Sequence, residues 1–144
     1  MKRYYAVLIP FYTVFLVYIM LWGCGRSAGE VGNLQLRPFH TIHYFFSMPK
    51  PFESFFINII CNVLVFVPFG WLGWALRPMK SLRCLAPFFV LSIVGIELIQ
   101  HFSGRGMADI DDVILNTSGM LLGWFGLRIF SSREEEAMPQ YQNI

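Results

Sequence analysis

Residues 82–102 read LRCLAPFFVLSIVGIELIQHF, and this stretch decides the class of fold. No charged residue occurs between Arg83 and Glu97. The stretch has about the 20 residues that an α-helix needs to cross a hydrocarbon core of roughly 30 Å. Because lipid offers no water to satisfy open backbone groups, a helix is the expected conformation. The stretch therefore predicts a transmembrane helix.

Three further apolar stretches surround it, at about Tyr4–Trp22, Phe55–Leu76 and Val113–Phe130. The 144-residue chain is 56% hydrophobic and 14% charged, whereas soluble domains have roughly 25% charged residues. A soluble domain of this size could not bury so much apolar surface. We expect an all-α polytopic membrane protein, a bundle of four transmembrane helices at residues 4–22, 55–76, 82–102 and 113–130.

The distribution of lysine and arginine predicts the orientation, because basic residues favour the cytoplasmic side. With the N-terminus inside, the inner segments carry seven basic residues and the outer segments carry four. The inner set is Lys2, Arg3, Arg77, Lys80, Arg83, Arg128 and Arg133, and the outer set is Arg26, Arg37, Lys50 and Arg105. We expect a multi-pass cell-membrane protein with both termini cytoplasmic. Residues 1–3 form the N-terminus, and residues 131–144 form a tail predicted to be flexible.

One alternative concerns the first apolar stretch. A basic start followed by an apolar run and Cys24 resembles a lipoprotein signal, which would be cleaved after Gly23. Trp22 is bulky where such a signal needs a small residue, and the run is long enough for a full span. The sequence favours the span, and mass spectrometry of the mature N-terminus distinguishes the two.

Polar residues inside the spans gather toward the outer face. The second span places Asn58 and Asn62 in its outer half, and the third ends with Glu97, Gln100 and His101. The fourth begins with the stripe Asp109, Asp112 and Asn116, and Arg105 lies in the preceding turn. Ionisable residues in a span are costly and mark functional sites by default. We therefore predict a shared, outward-opening polar pocket, with Asp111 outside the stripe on a solvated face or at the helix N-terminus.

Small residues and proline predict how the helices pack. Gly119 and Gly123 form a small-xxx-small pair that lets another helix approach closely. Pro68 with Gly70 removes a backbone hydrogen bond and permits a bend in the second span. The first span contributes no polar residue to the predicted pocket and is expected to act as a scaffold or anchor.

These residues resemble a known family. The run Asn62-Val-Leu-Val-Phe-Val-Pro-Phe-Gly70 is similar to the hallmark of VanZ-like membrane proteins. Glu97 and Gln100, Arg105, the Asp109–Asp112 cluster and Asn116-Thr-Ser-Gly119 follow in the family's order. The earlier Asn33–Ile42 run resembles the family's outer loop. The family takes its name from a protein linked to teicoplanin resistance, so the resemblance implies a bacterial cell-envelope protein that affects glycopeptide susceptibility.

The sequence leaves several functions open. In the favoured hypothesis, the pocket binds an envelope lipid or glycopeptide-related head group. Its binding residues would be Asn62, Glu97, Gln100, Arg105, Asp109, Asp112 and Asn116. The alternative is a membrane enzyme acting on a lipid-linked substrate, with Glu97, Asp109 and Asp112 as catalytic candidates, although no nucleophile is evident. A structural ion-pair network around Glu97 and Arg105, or a metal site from Glu97, His101, Asp109 and Asp112, would also fit the pattern.

The partners expected are membrane lipids and a lipid-linked cell-wall precursor or glycopeptide, and a homo-oligomer stays open. No cofactor is expected, because P-loop, dinucleotide and zinc-protease motifs are absent from the sequence. Nucleic acid is excluded as a partner, since the net charge is only +2 and no basic run is interleaved with aromatic residues. Transport is disfavoured, because the inner halves of the spans carry almost no polar residue.

Overall fold

The computed structural model describes residues 2–23, 34–47 and 59–137. Within these residues the chain forms five longer helical segments and a short 3-10 helix, Arg77–Lys80. The five longer segments are α1 (Lys2–Trp22), α2 (His40–Ser47), α3 (Ile59–Trp74), α4 (Leu82–Phe102) and α5 (Ile110–Ala137). Asn58 and Cys24, named above as a candidate pocket residue and a candidate lipidation site, lie outside the described residues.

Among the described residues, three of these segments are long and apolar enough to cross a membrane by length and composition. They are α1, α4 and residues Ile110–Ser131 of α5. Residues 55–58 of the predicted second span lie outside the described residues, and the second half of α3, Val67–Trp74, is a 3-10 helix with Pro68 at its start. Pro68 has no N–H to donate to an α-helical partner, so the α-helix ends where the sequence predicted a bend.

Most apolar side chains of the long helices point away from the protein interior. Only 17% of the most apolar window of α1 is buried, although its mean hydropathy is 2.0. Soluble proteins rarely leave contiguous apolar surface of this extent exposed, and lipid is the solvent that fits it. The buried core is a small cluster dominated by Phe66, Phe69, Phe89 and Trp124, where α3, α4 and α5 meet.

The segments α3 and α5 pack backbone against backbone through glycines. A methyl group added to Gly119 would overlap the carbonyl oxygen of Val63, and one added to Gly123 would overlap that of Val67. On the other side of the contact, Gly70 lies against the backbone between Met120 and Trp124. The close approach predicted from the small-xxx-small spacing is confirmed, and its partner is α3.

The first helix supplies hydrogen bonds to the irregular backbone of α3. Tyr12 donates its hydroxyl to the carbonyl of Val65 at 2.7 Å, and Tyr5 donates to the carbonyl of Pro68 at 2.9 Å. Backbone carbonyls that are shielded from water need such partners. The polar contacts of α1 described here go to the backbone of α3, which fits the predicted role of α1 as a scaffold.

The two ends of the bundle differ in charge. We call the end that holds Glu97, Asp109, Asp111 and Asp112 the acidic end. The opposite end, the basic end, holds Lys2, Arg3, Lys80 and Arg128, which line cavities between α1, α3 and α5. The helix α5 continues to Ala137, seven residues beyond the predicted end of the fourth span at residue 130.

Candidate functional site

The acidic end is organised around the connection from α4 to α5. Residue Gln35 pairs with it as an isolated β-bridge: the Gln35 N–H donates to the carbonyl of Ala108 at 2.9 Å, and the Ile110 N–H donates back to the carbonyl of Gln35 at 3.1 Å. The segment that leads into α2 is thus fastened to the start of α5. The loop that resembles the family pattern and the aspartate cluster form one unit.

Asp111 anchors the N-terminus of α2. Its carboxylate accepts the backbone N–H groups of Phe39, Thr41 and Ile42, the last two at 2.8 and 3.2 Å. A carboxylate is favoured there because the first N–H groups of a helix have no partner within the helix. The side chain of Asp111 is fully buried, so its assignment to a solvated face is wrong. It does lie in the first turn of α5.

Asp109 joins α2, α4 and α5. One carboxylate oxygen accepts the hydroxyl of Thr41, and the other accepts the N–H of Asp111 at 2.9 Å. The backbone N–H of Asp109 donates to Oε2 of Glu97 at 3.3 Å. Asp109 precedes the helix instead of lying on it, so the predicted three-residue stripe with Asp112 and Asn116 is reduced to the latter two.

The stripe on α5 faces α3. The Asn62 side-chain amide donates to Oδ1 of Asp112 at 3.1 Å, and one turn further along α5 comes Asn116. Because Gly119 on the same stripe touches Val63 and Phe66, Asn116 lies at the α3 contact. Its side chain is 2% exposed, and its Oδ1 has no hydrogen-bond donor among the described residues. A buried amide oxygen of this kind is an open position for a water or a ligand group.

Gln100 and Arg105 turn toward α1. The Gln100 side-chain amide donates to the carbonyl of Met20 at 2.7 Å. The guanidinium carbon of Arg105 lies 4.9 Å from the centre of the Trp22 ring, which is a cation–π contact. These two predicted site residues therefore lie on the α1 side of the acidic end, while Asn62, Asp112 and Asn116 lie on the α3 side.

Burial divides the seven predicted binding residues into a core and a rim. Glu97, Gln100, Asp109 and Asn116 are buried, whereas Asn62, Arg105 and Asp112 are partly exposed. In the part of the chain that the structure describes, hydrogen bonds fill this core except at the unpartnered Oδ1 of Asn116. The rim residues face a ligand outside the bundle, and the Asn116 oxygen lies one helical turn from the rim residue Asp112.

The predicted metal alternative does not match this geometry. Among the described residues, no group of three or more His, Cys, Asp and Glu side chains is arranged to hold a metal ion. His101 is buried at the end of α4 with its ring against Phe102.

Sequence reasoning missed three contributors to the acidic end. In the sequence, Gln35 and Thr41 are part of the run that resembles the family's outer loop, and Asp111 is out of phase with the helix stripe. A usable signal was present, since Thr and Asp side chains commonly bond to the free N–H groups at a helix start. The missing information was that α2 begins next to Asp111 in space.

Comparison with known proteins agrees with these features. A family model described as VanZ/LLP1 matches residues 8–131. The chain is 31% identical over 124 residues to Protein VanZ of Enterococcus faecium, and the match covers 85% of this chain and 71% of that protein. No solved structure gives a significant match. The matched range begins within α1, ends within α5 and includes every residue of the acidic end. The chain belongs to the VanZ family.

Proposed function

We propose that this chain is a multi-pass protein of the bacterial cell membrane whose acidic end binds a polar head group, from an envelope lipid or a glycopeptide-related molecule. Through that binding it affects susceptibility to teicoplanin-type antibiotics. The relative named VanZ supports the antibiotic link, and the supporting observation in the structure is the unpartnered Oδ1 of buried Asn116 beneath a partly exposed polar rim.

The rim suits a ligand that carries hydrogen-bond donors. Asn62 and Asp112 are partly exposed and bonded to each other, and the Asn116 oxygen lies one helical turn below Asp112 on the same stripe. Sugar hydroxyls and peptide N–H groups can donate to such oxygens. Arg105, on the α1 side, supplies a guanidinium for a phosphate or carboxylate on the same ligand.

The proposal includes a fourth membrane pass through α3. About 12 Å of rise is expected from residues 59–66 at 1.5 Å each, and about 16 Å from Val67–Trp74 at the 2.0 Å rise of a 3-10 helix. The sum, about 28 Å, is close to the roughly 30 Å of a hydrocarbon core. The larger rise per residue of the 3-10 half lets this short segment cover the distance that the other helices cover. With four passes, both termini lie on one side, which the basic residues assign to the cytoplasm.

Binding is tested with the purified full-length chain by native mass spectrometry, with teicoplanin and a lipid-linked cell-wall precursor as probes. We expect Asn116→Leu, which keeps the side-chain size and removes the oxygen, to lower retention of the probe that binds. Thr117→Val is the matched control, because it removes a neighbouring buried hydroxyl that lies off the stripe. Equal retention by wild type and Asn116→Leu, or no retention of either probe by wild type, would refute the proposal.

A membrane enzyme is the second candidate, favoured by one observation. The Glu97 side chain is 4% exposed and contacts the backbone of Asp109, itself 7% exposed, so two carboxyl groups lie together out of water. Such pairs can divide acid and base roles. Asp109 and Asp112 already accept structural hydrogen bonds, which favours the binding role. Turnover of a lipid-linked precursor by wild type and its loss in Glu97→Gln would establish the enzyme instead.

A further inference from the structure

A large apolar cavity lies at the basic end, opposite the proposed head-group site. It has a volume of about 980 Å³ between the start of α1, the 3-10 half of α3 and the last part of α5. Trp71, Trp74 and Phe130 supply aromatic walls, and Gly126 leaves open space beside α5. Its volume is at the upper end of the roughly 300–1,000 Å³ typical of ligand pockets. The walls suit a hydrocarbon chain.

A second cavity of about 500 Å³ adjoins the first and has a different character. The two share Lys2, Trp74, Leu127 and Ser131 in their linings, so they are neighbours around the same side chains. The second adds Lys80 and Arg128, and the aromatic ring of Trp124. An apolar chamber next to a basic one fits a ligand with an apolar tail and an anionic head.

The charges available at this end favour an anion. Within the described residues, no carboxylate pairs with Lys2 or Lys80, and both side chains are exposed. The segments at this end carry seven basic residues and the three acids Glu134–Glu136, so their net charge is +4. An anionic lipid surface attracts basic residues close to a membrane. Tryptophans belong at the same depth, since their rings favour the headgroup zone.

We infer that the basic end is a binding site for one anionic phospholipid. Its acyl chain occupies the cavity between Trp71, Trp74 and α5, and its phosphate lies between Lys2 and Lys80. The cavity extends along α5 from Leu122 to Ser131, about 14 Å at the rise of an α-helix. This length is close to half the thickness of a roughly 30 Å hydrocarbon core. This site is separate from the proposed head-group site and does not depend on it.

Tryptophan fluorescence tests the site directly, because three of the four tryptophans lie at the basic end and the fourth, Trp22, lies at the acidic end. The full-length chain carrying Trp22→Phe is reconstituted in phosphatidylcholine vesicles. A small, equal mole fraction of lipid is then replaced by dibrominated phosphatidylglycerol or dibrominated phosphatidylcholine, whose bromines quench nearby tryptophans. We expect stronger quenching by the brominated phosphatidylglycerol.

The variants distinguish lipid binding at the two cavities from a general attraction of anionic lipid to surface charge. Each lysine removed by Lys2→Gln or Lys80→Gln should lower the preference for phosphatidylglycerol by about fivefold. The matched control is Arg77→Gln with Arg83→Gln, which removes two charges at the same end without touching either cavity lining, and it should keep the preference. Gly126→Leu, which fills the apolar cavity, should reduce quenching by both brominated lipids.

Three results would overturn the inference. Equal quenching by the two brominated lipids would show that the site does not select the anion. An equal loss in the Arg77 and Arg83 control would assign the preference to surface charge. Full displacement of the brominated phosphatidylglycerol by inorganic phosphate would assign the basic chamber to a free phosphate rather than a lipid.

Discussion

Gly119→Ala is the substitution that tests the packing of α3 on α5 most sharply. The added methyl group would overlap the carbonyl oxygen of Val63 and lie close to the side chain of Phe66. A carbonyl oxygen cannot move aside as a flexible side chain can, so the two helices must separate locally. Overpacking of this kind typically costs about 1–3 kcal/mol.

The higher helix propensity of alanine raises the stability, so this contribution has to be subtracted before the clash can be measured. Replacing glycine by alanine within a helix stabilises it by about 0.8–1.0 kcal/mol. Gly126→Ala gains the same propensity on the same helix, but its methyl group would meet no atom within 4 Å. The difference between the two variants therefore isolates the clash, and we expect Gly119→Ala to be less stable by about 1–3 kcal/mol.

The assay is the free energy of unfolding in mixed micelles, taken from titration with sodium dodecyl sulfate and followed by circular dichroism. The two variants and the wild type are measured under identical detergent conditions. Equal unfolding free energies for Gly119→Ala and Gly126→Ala would refute the close backbone contact between α3 and α5.

Two further predictions concern the hydrogen bonds of a single side chain. Tyr12→Phe removes the donor to the Val65 carbonyl and should lower the unfolding free energy by about 0.5–1.5 kcal/mol in the same titration. Tyr18→Phe, an exposed control on the same helix, should change nothing, and a matching loss there would count against the Tyr12 bond. Asp111→Asn should speed hydrogen exchange at the N–H groups of Phe39, Thr41 and Ile42 by about tenfold or more, since hydrogen bonds to charged groups contribute about 1.5–3 kcal/mol. Unchanged exchange would show that Asp111 does not anchor α2.

Periodicity and spacing were sufficient for features that depend on one helix at a time. The third span was predicted at residues 82–102, and α4 has those bounds, because hydropathy reports the run directly. Gly119 and Gly123 were recognised as a contact surface because small residues four apart lie on one helix face. The effect of Pro68 was also predicted, since a missing N–H interrupts an α-helix wherever it occurs.

The remaining features depend on which distant segments contact each other in the folded chain, and a single sequence does not give these contacts. The full burial of Asp111 follows from the position of α2, which begins 71 residues earlier in the chain at His40. Tyr5 and Tyr12 lie in an apolar run of the sequence. Their role as hydrogen-bond donors follows only from the position of the α3 carbonyls beside α1. Gln100 and Arg105 share a sequence neighbourhood with the carboxylates, yet they face α1.

The most direct measurement is the teicoplanin susceptibility of a deletion strain complemented with wild type, Asn116→Leu, Glu97→Gln or the Thr117→Val control, at matched protein levels. We predict that wild type and Thr117→Val restore the parental inhibitory concentration, whereas Asn116→Leu and Glu97→Gln do not. Full restoration by Asn116→Leu and Glu97→Gln would contradict the assignment of function to the polar cluster at the acidic end.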